Sequence, residues 1–285
     1  MKRLKIGGVP EHFNLPWRLA IEEGKFKNAG IELHWSDMTG GTGQMIKGLQ
    51  AGTLDIAVLL TEGITRAILK GLEAKILAVY VQSPLCWGIH APANNTISSL
   101  AALDGSTFAI SREGSGSHLM SYVLAQREGW EPNALSFNVV GDIYGGLWAL
   151  NHDEAEGFLW EKYTTQPFVD QGKLKRIGEV YTPWPCFVIA VRDEVLAADA
   201  NLLHAILPII QARATELKNS PDAAEVLAWR YALKKDQVEA WLRQTEWATS
   251  SSIQTADLKV TVETLENLDL VTKEEATNWT EKLLP

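Results

Sequence analysis

The feature that most constrains this chain is an alternation of short apolar strands with helices that runs once and then starts again. In the first half, residues 4–9 and 55–59 have the length and apolar content of buried strands. A helix is predicted over 17–29, with Pro16 in its first turn and Gly30 after its end. This β-α-β-α rhythm predicts a mostly parallel sheet covered by helices on both faces.

The rhythm restarts after residue 100. Residues 107–111 and 135–140 are predicted strands, and 115–128 is a predicted helix between them. Two similar α/β units in one chain predict two lobes rather than one long sheet. The last third of the chain is helical and has no sheet of its own, so we expect it to pack on the first lobe. A capping-box pattern, Thr272-x-x-Glu275, predicts the start of the last helical segment.

Composition and charge exclude several classes of function. The net charge of −9 argues against a nucleic-acid partner, because phosphate contacts require a basic face. No apolar run reaches the roughly 18 residues that a membrane span needs. The first residues show no secretory leader, which favours the cytoplasm for the sequence as it stands and the periplasm if a leader has been removed. Two cysteines cannot form a disulfide framework.

The connections that follow the predicted strands carry the best candidates for ligand binding, because ligands of open parallel sheets bind beyond the carboxyl ends of the strands. Two connections, 39–43 and 111–118, are rich in glycine and hydroxyl residues, and each opens a helix. Exposed N–H groups and the helix dipole suit such ends to anions, and glycine lets a ligand approach the backbone. Turns of this composition also serve simply to connect a strand to a helix, so both interpretations stay open.

No standard enzyme motif accompanies these connections. Residues 114–119 lack the third glycine of a dinucleotide fingerprint, and neither a GK[ST] sequence nor a G-x-S-x-G elbow is present. The six histidines show no metal-ligand spacing, and the His-Asp-Glu sequence at 152–154 is interpreted as a solvated turn. We therefore expect neither a metal nor a cofactor. Without a nucleophile, Glu11, His12 and Glu62 are interpreted as ligand contacts rather than acid–base catalysts.

Several segments of the chain together carry a resemblance to a known family. They are LKIGGVP (4–10), LAIEEGKF (19–26), AGIEL (29–33), GLQAGTLDIA (48–57) and LDG (103–105). These segments resemble the nitrate-, aliphatic-sulfonate- and thiamine-pyrimidine-related family of periplasmic binding proteins, the substrate-binding subunits of ABC transporters. The resemblance covers most of residues 4–192 and fades in the C-terminal helices. Two family features are missing: the cysteine-rich motif of the pyrimidine-synthase branch and the leader of the transport branch.

The resemblance implies a type II binding-protein fold, with two α/β lobes, two crossover strands and a ligand held between the lobes. We place the crossovers at 83–90 and 185–192. Lobe 1 is then discontinuous, comprising 1–86 and 188–285, and lobe 2 comprises 87–187. If the crossovers run side by side, Cys86 and Cys186 are near neighbours, with two packed thiols favoured over a disulfide.

The function that follows is a solute-binding protein without catalytic residues, closing on a small anionic or zwitterionic ligand such as a sulfonate, carboxylate or aminopyrimidine. Its expected partners are that ligand and an ABC-transporter membrane subunit. The alternatives are a cytoplasmic enzyme of the thiamine-pyrimidine-synthase-like branch and a cytoplasmic ligand sensor. The expected ligand contacts are Glu11, His12, Asn14, Trp17, Gly41, Thr42 and Glu62 on lobe 1 and Ser111, Arg112, Ser115, Ser117 and His118 on lobe 2, together with Trp160, Glu161 and Trp184 near the floor of the cleft.

Overall fold

The computed structural model describes residues 2–285, and their contacts divide them into two compact units. Unit 1 is the chain up to Pro84 together with Pro183–Pro285, and unit 2 is Leu85–Thr182. Each unit contains one five-stranded sheet. The strands, in chain order, are β1 (Lys2–Gly8), β2 (Ile31–Asp37), β3 (Ile56–Leu60), β4 (Ala74–Val81), β5 (Cys86–Pro92), β6 (Thr107–Ile110), β7 (Ser136–Val139), β8 (Gly157–Glu161), β9 (Leu174–Tyr181) and β10 (Phe187–Arg192).

The helices lie between the strands and after the last one. They are α1 (Leu15–Glu22), α2 (Lys25–Asn28), α3 (Gly41–Gln50), α4 (Thr61–Leu69), α5 (Gly116–Glu128), α6 (Ile143–Asn151), α7 (Lys162–Asp170), α8 (Asp193–Ala198), α9 (Ala200–Asn219), α10 (Ala223–Tyr231), α11 (Lys235–Gln244), α12 (Thr255–Asn267), α13 (Lys273–Ala276) and α14 (Trp279–Leu283). Short 3₁₀ turns occur at His12–Asn14, Leu100–Leu103 and Pro132–Ala134.

The two sheets have the same topology. In unit 1 the order is β2-β1-β3-β10-β4, where β1 is parallel to β2 and β3, and β10 is antiparallel to β3 and β4. In unit 2 the order is β7-β6-β8-β5-β9, with β6 parallel to β7 and β8, and β5 antiparallel to β8 and β9. The predicted fold class, two α/β lobes with mostly parallel sheets, is therefore confirmed.

The one antiparallel strand of each sheet is the first strand after the chain changes unit. The chain leaves unit 1 after Pro84 and β5 follows; it returns at Pro183 and β10 follows. Strand β10 lies within the predicted crossover at 185–192, and β5 overlaps the one predicted at 83–90 but continues to Pro92. In unit 2 the two ends are joined to each other, since Thr182 N donates to Leu85 O at 3.1 Å and Leu85 N donates to Thr182 Oγ1 at 2.9 Å.

Both cysteines are buried free thiols, one in each unit. The Cys86 thiol lies 3.4 Å from Glu179 Oε2, and burial raises its pKa to about 12, so it is protonated at neutral pH. Cys186 lies in unit 1 and is fully buried. The expected proximity of the two cysteines stays a prediction.

The helical C-terminal region packs on unit 1, as predicted. Helix α9 lies against α1, and both α12 and α14 lie against α4. Two ion pairs connect the C-terminal end of α1 to the C-terminal helices: Arg213 lies 3.0 Å from Glu23, and Arg230 lies 2.8 Å from Glu22. The predicted capping box is confirmed, because Glu275 N donates to Thr272 Oγ1 and Thr272 N donates to Glu275 Oε2.

The helix predicted over 17–29 is divided in two. Helix α1 ends at Glu22, Gly24 takes a left-handed conformation with φ of +70°, and α2 begins at Lys25. The amphipathic pattern continues through both helices, which is why the sequence predicted a single one. Over residues 2–285, no helix has the length and apolar character needed to cross a membrane.

Candidate functional site

The polar residues of unit 1 that the sequence singled out follow the carboxyl ends of its parallel strands. The connection after β1 contains the 3₁₀ turn His12–Asn14, β2 leads through 38–40 into α3, and β3 runs directly into α4 at Thr61. Strand β3 is apolar because it is covered on both sides, and polar residues begin only where it ends. The change from apolar core residues to polar candidate-site residues therefore occurs between Leu60 and Thr61.

Glu62 is a buried carboxyl group held by a tryptophan. Its side chain is 2% exposed, and Oε2 accepts a 2.9 Å hydrogen bond from Trp184 Nε1. Within residues 2–285 its other oxygen, Oε1, is buried and makes no hydrogen bond. A buried carboxyl oxygen without a donor is costly, so it marks a place where a donor from outside the chain would be stabilising.

Burial controls the protonation of Glu62. It raises the pKa of this carboxyl group to about 7, and the hydrogen bonds from the backbone and from Trp184 only partly oppose the shift. Glu62 is therefore close to half-protonated at neutral pH. A carboxyl group with such a pKa in a strand-end connection is a functional-site candidate on physical grounds.

Thr42 and Gly41 open helix α3 next to α4. Gly41 has a φ of +63°, a conformation that favours glycine. Thr42 Oγ1 accepts a 3.3 Å hydrogen bond from Leu60 N, which fixes the start of α3 to the end of β3. A Cβ atom on Gly63 would lie 2.4 Å from Thr42 Cγ2, so the first turns of the two helices approach closely only because Gly63 has no side chain.

Asn14 lies in the 3₁₀ turn after β1, and only one of the two polar atoms of its side-chain amide makes a hydrogen bond among the described residues. Its Nδ2 donates to Val9 O at 2.8 Å, whereas Oδ1 is buried and, among the described residues, accepts no hydrogen bond. A Cβ atom on Gly8 would lie 2.9 Å from Asn14 Nδ2, and Gly8 pairs with Val58 of β3. The Asn14 side chain is thereby placed beside Gly8, the last residue of β1.

Thr65 is a residue of this region that the sequence analysis missed. It lies one turn after Glu62 in α4, its side chain is fully buried, and its hydroxyl makes no hydrogen bond within the part of the chain that the structure describes. The spacing i, i+3 from Glu62 on a helix was the available signal.

His12 and Trp17 lie among aromatic side chains. The His12 ring is 4.3 Å from that of Trp241 and 4.8 Å from that of Phe13, and burial lowers its pKa to about 3, so it is neutral. Trp17 is fully buried and stacks on Phe26 at 5.8 Å. Glu11 is half-buried beside His12.

In unit 2, three serines organise the connection between β6 and α5. Ser115 is the N-cap of α5, and its Oγ accepts from His118 N at 3.3 Å. Ser117 Oγ accepts from Ser111 N and lies 3.0 Å from Ser115 Oγ. The hydroxyl groups of Ser115 and Ser117 therefore face each other, and the turn leads into a helix of 13 residues.

Two further candidates flank this turn. His118 Nδ1 accepts a 2.8 Å hydrogen bond from Gly114 N, and its ring packs 4.4 Å from that of Phe137. This bond places the proton of a neutral His118 on Nε2. Arg112 is half-buried in the same connection.

Glu161 differs from Glu62 although both are buried acids at a strand end. Glu161 is the N-cap of α7, and its Oε2 accepts from Thr164 N at 2.6 Å and from Thr164 Oγ1 at 2.8 Å. Burial raises its pKa, and these hydrogen bonds oppose the rise. Its neighbour Trp160 packs 5.5 Å from Phe158 in the core of unit 2.

His152, in the sequence interpreted as a solvated turn, is exposed and stacks 4.2 Å from the ring of Trp148. Among residues 2–285 no three histidine, cysteine or acidic side chains are grouped so that they could hold a metal ion.

The sheet topology, repeated in both units, defines the class of fold: this chain has the type II periplasmic-binding-protein fold. A family profile described as Ca3427-like PBP matches residues 87–180. A comparison with curated proteins finds no match.

Solved structures show the same fold over the whole chain. The Candida albicans CA3427 gene product, described as having the generic periplasmic binding protein fold, is similar with a TM-score of 0.91 and 24% identity, covering 100% of this chain and 96% of that one. The alkanesulfonate-binding protein SsuA of Xanthomonas axonopodis pv. citri has a TM-score of 0.80 and 15% identity, with 95% of each chain covered. The nitrate-binding protein NrtA of Synechocystis PCC 6803 has a TM-score of 0.73 and 14% identity, covering 98% of this chain and 85% of that one.

Proposed function

We propose that this chain is a small-molecule solute-binding protein of the type that serves ABC transporters, and that it binds its ligand without transforming it. The observation that carries the proposal is the match of the whole fold to binding proteins for sulfonate and nitrate. Buried polar side chains at the strand ends support it, because solute sites of open α/β sheets use these ends.

The proposed contacts come from the carboxyl-end connections of both units, and the residues are those that the sequence analysis named. Those of unit 1 are Glu11, His12, Asn14, Trp17, Gly41, Thr42, Glu62 and Trp184, and those of unit 2 are Ser111, Arg112, Ser115, Ser117, His118, Trp160 and Glu161. Two features have the best support as ligand contacts: Glu62, and the connection between β6 and α5 that contains Ser111, Ser115 and Ser117, which we call the serine turn. Within residues 2–285 Glu62 Oε1 has no hydrogen-bond donor, and the serine turn joins hydroxyl groups to the N-terminus of a long helix.

The two units offer different chemistry to a ligand. The serine turn of unit 2 suits an anionic group such as a sulfonate or carboxylate, because N–H groups and the helix dipole favour negative charge. The strand-end connections of unit 1 carry the acids Glu11 and Glu62. We therefore propose a zwitterionic or anionic small molecule, or an aminopyrimidine, as the ligand, and a transporter membrane subunit as the protein partner.

A thermal-shift screen with small sulfonates, carboxylates, amino acids and aminopyrimidines tests the proposal. A ligand present at about 100 times its Kd stabilises the folded chain by about 2.7 kcal/mol, which raises the Tm by a few degrees. A hit recovered chemically unchanged after long incubation, as judged by mass spectrometry, supports a binding protein. A hit that is consumed indicates the enzyme alternative, and a panel without any hit contradicts solute binding for these classes.

A further inference from the structure

At the strand ends of unit 1, two buried acceptors make no hydrogen bond within residues 2–285; buried donors without one also occur in this unit, at Trp17 Nε1 and Trp241 Nε1. Glu62 Oε1 and Asn14 Oδ1 can only accept, apart from a protonated Glu62, and within residues 2–285 neither has a donor. Glu62 is the second residue after β3, and the Asn14 amide lies beside Gly8, the last residue of the neighbouring strand β1. Anions supply acceptors rather than donors, so an anionic group placed here would leave these atoms unsatisfied.

The charges of this region agree with the hydrogen-bonding pattern. The segments that follow the ends of β1, β2 and β3, residues 9–14, 38–43 and 61–65, contain no lysine or arginine, and their only acids are Glu11 and Glu62. The one histidine, His12, is neutral because burial lowers its pKa to about 3. Arg66, which directly follows the third segment, donates from Nε to Leu270 O at 3.3 Å. Arg18 pairs with Asp37 and lies over the ring of Trp35.

The comparison with Glu161 shows that Glu62 is not simply a buried structural acid. Both side chains are at most 5% exposed, but Glu161 Oε2 is occupied by two donors from Thr164, which belong to the helix that Glu161 caps. Glu62 caps no helix, and its hydrogen bond from Trp184 leaves Oε1 available.

We propose that the ligand carries an amino or amidinium group and that Glu62, oriented by Trp184, receives this group. The inference rests on the proposed function, since it names the part of the solute that unit 1 recognises. A cationic nitrogen would favour the ionised carboxylate and supply the donor that Oε1 lacks.

Matched pairs of compounds that differ in one amino group test the inference. The pairs are taurine and ethanesulfonate, β-alanine and propionate, and 4-aminopyrimidine and pyrimidine, each titrated calorimetrically into the full chain. In at least one pair, the amino compound should bind the wild-type protein about tenfold or more tightly than its counterpart, because a hydrogen bond to a charged group is lost without the amine.

Variants of Glu62 assign the preference to this carboxyl group. Glu62→Gln, which keeps the shape of the side chain, should abolish the preference for the amino compound. Glu62→Asp keeps a carboxylate and should retain part of the preference. The control Glu239→Gln removes an exposed acid of α11 and should bind like the wild type. The Tm of each variant establishes that it is folded.

The outcomes separate this inference from the proposed function. Binding of ethanesulfonate, propionate or pyrimidine without a preference for the amino partner in any of the three pairs overturns the inference and leaves solute binding intact. A preference that survives Glu62→Gln, or that is lost equally in both Glu62 variants, also overturns it. Failure of all six compounds to bind the wild-type chain counts against both proposals.

Discussion

Trp184 Nε1 donates a 2.9 Å hydrogen bond to Glu62 Oε2, joining two buried side chains that are 122 residues apart in the chain. Trp184 precedes β10, and Glu62 is the second residue of α4. A second bond joins the same segments, because Thr61 N donates to Cys186 O at 3.1 Å. The segment that leads the chain back into unit 1 thus fixes the orientation of the Glu62 carboxyl group.

Glu62 should make the stability of unit 1 decrease as pH rises. Its pKa is raised from 4.5 to about 7 in the folded chain, so between these values the folded state holds a proton that the unfolded state has lost. The stabilisation is fully present below pH 4.5 and is lost as pH rises through about 7, by up to about 3 kcal/mol at 1.36 kcal/mol per pKa unit. The free energy of unfolding in urea, measured for the wild type and Glu62→Gln at pH 4.5 and 8, gives this difference.

The control for this experiment is Glu239→Gln, which should follow the wild type at both pH values. If the difference between the wild type and Glu62→Gln is the same at pH 4.5 and 8, the carboxyl group titrates normally and the account of its burial is wrong.

Replacing Trp184 by phenylalanine should raise the pKa of Glu62 further. The indole N–H favours the ionised carboxylate, and phenylalanine retains most of the apolar contact but cannot donate. The pH range over which stability falls should therefore extend above that of the wild type. Carboxyl-carbon NMR of selectively labelled glutamate measures the pKa directly.

Trp229→Phe is the matched control, since Trp229 is 81% exposed. An unchanged Glu62 pKa in Trp184→Phe would show that the hydrogen bond has no influence on the protonation of this group.

Gly63→Ala should destabilise the chain although alanine favours helices. The new Cβ would lie 2.4 Å from Thr42 Cγ2, and overpacking of this kind costs about 1–3 kcal/mol. Thr42→Ser removes Cγ2 but keeps the oxygen that accepts from Leu60 N, so it should relieve most of the clash in the double variant. Urea unfolding of the four proteins forms a double-mutant cycle, and additive effects would exclude the contact.

His90 should make unit 2 sensitive to acid. Its pKa is lowered to about 3, first by burial and then by Arg176, while its ring lies 3.1 Å from Phe158 O and 3.0 Å from Thr165 Oγ1. Between pH 6.5 and about 3 the unfolded state binds a proton that the folded state does not, so stability is present above pH 6.5 and is lost as pH falls, by up to about 5 kcal/mol.

His90→Gln should unfold with a weaker dependence on pH in this range, measured by urea denaturation at pH 4 and 7. His204→Gln, which changes an exposed histidine of α9, should keep the wild-type dependence. Equal pH dependence in the wild type and His90→Gln would contradict the role assigned to burial.

Much of the architecture could be predicted from local patterns. Apolar runs of strand length that alternate with helices, and a second set of them from residue 107, predicted two α/β units. The Thr272–Glu275 capping box could be predicted because its residues lie within one helical turn. The division of the helix over 17–29 was missed, because the left-handed conformation of Gly24 interrupts the helix without interrupting its apolar pattern.

The candidate site could be predicted only in part. The rule that ligands bind beyond strand ends selected Glu62, Asn14 and the serine turn. These residues could be found from the sequence because they follow the predicted strands along the chain. Thr65 was missed because a buried threonine in a helix resembles any core residue until its hydroxyl is seen to make no hydrogen bond.

The sequence by itself determined which residues form strands and helices and which polar residues follow the strand ends, because these properties depend on neighbours within a few positions. Only the tertiary structure decided that Glu62 receives a donor on one oxygen and, among the described residues, none on the other, whereas the donors of Glu161 come from Thr164, three residues further along the chain. The two acids have the same chemistry and similar local sequence positions. Their pKa values and hydrogen bonds depend on burial and on partners such as Trp184, which folding brings from distant parts of the chain.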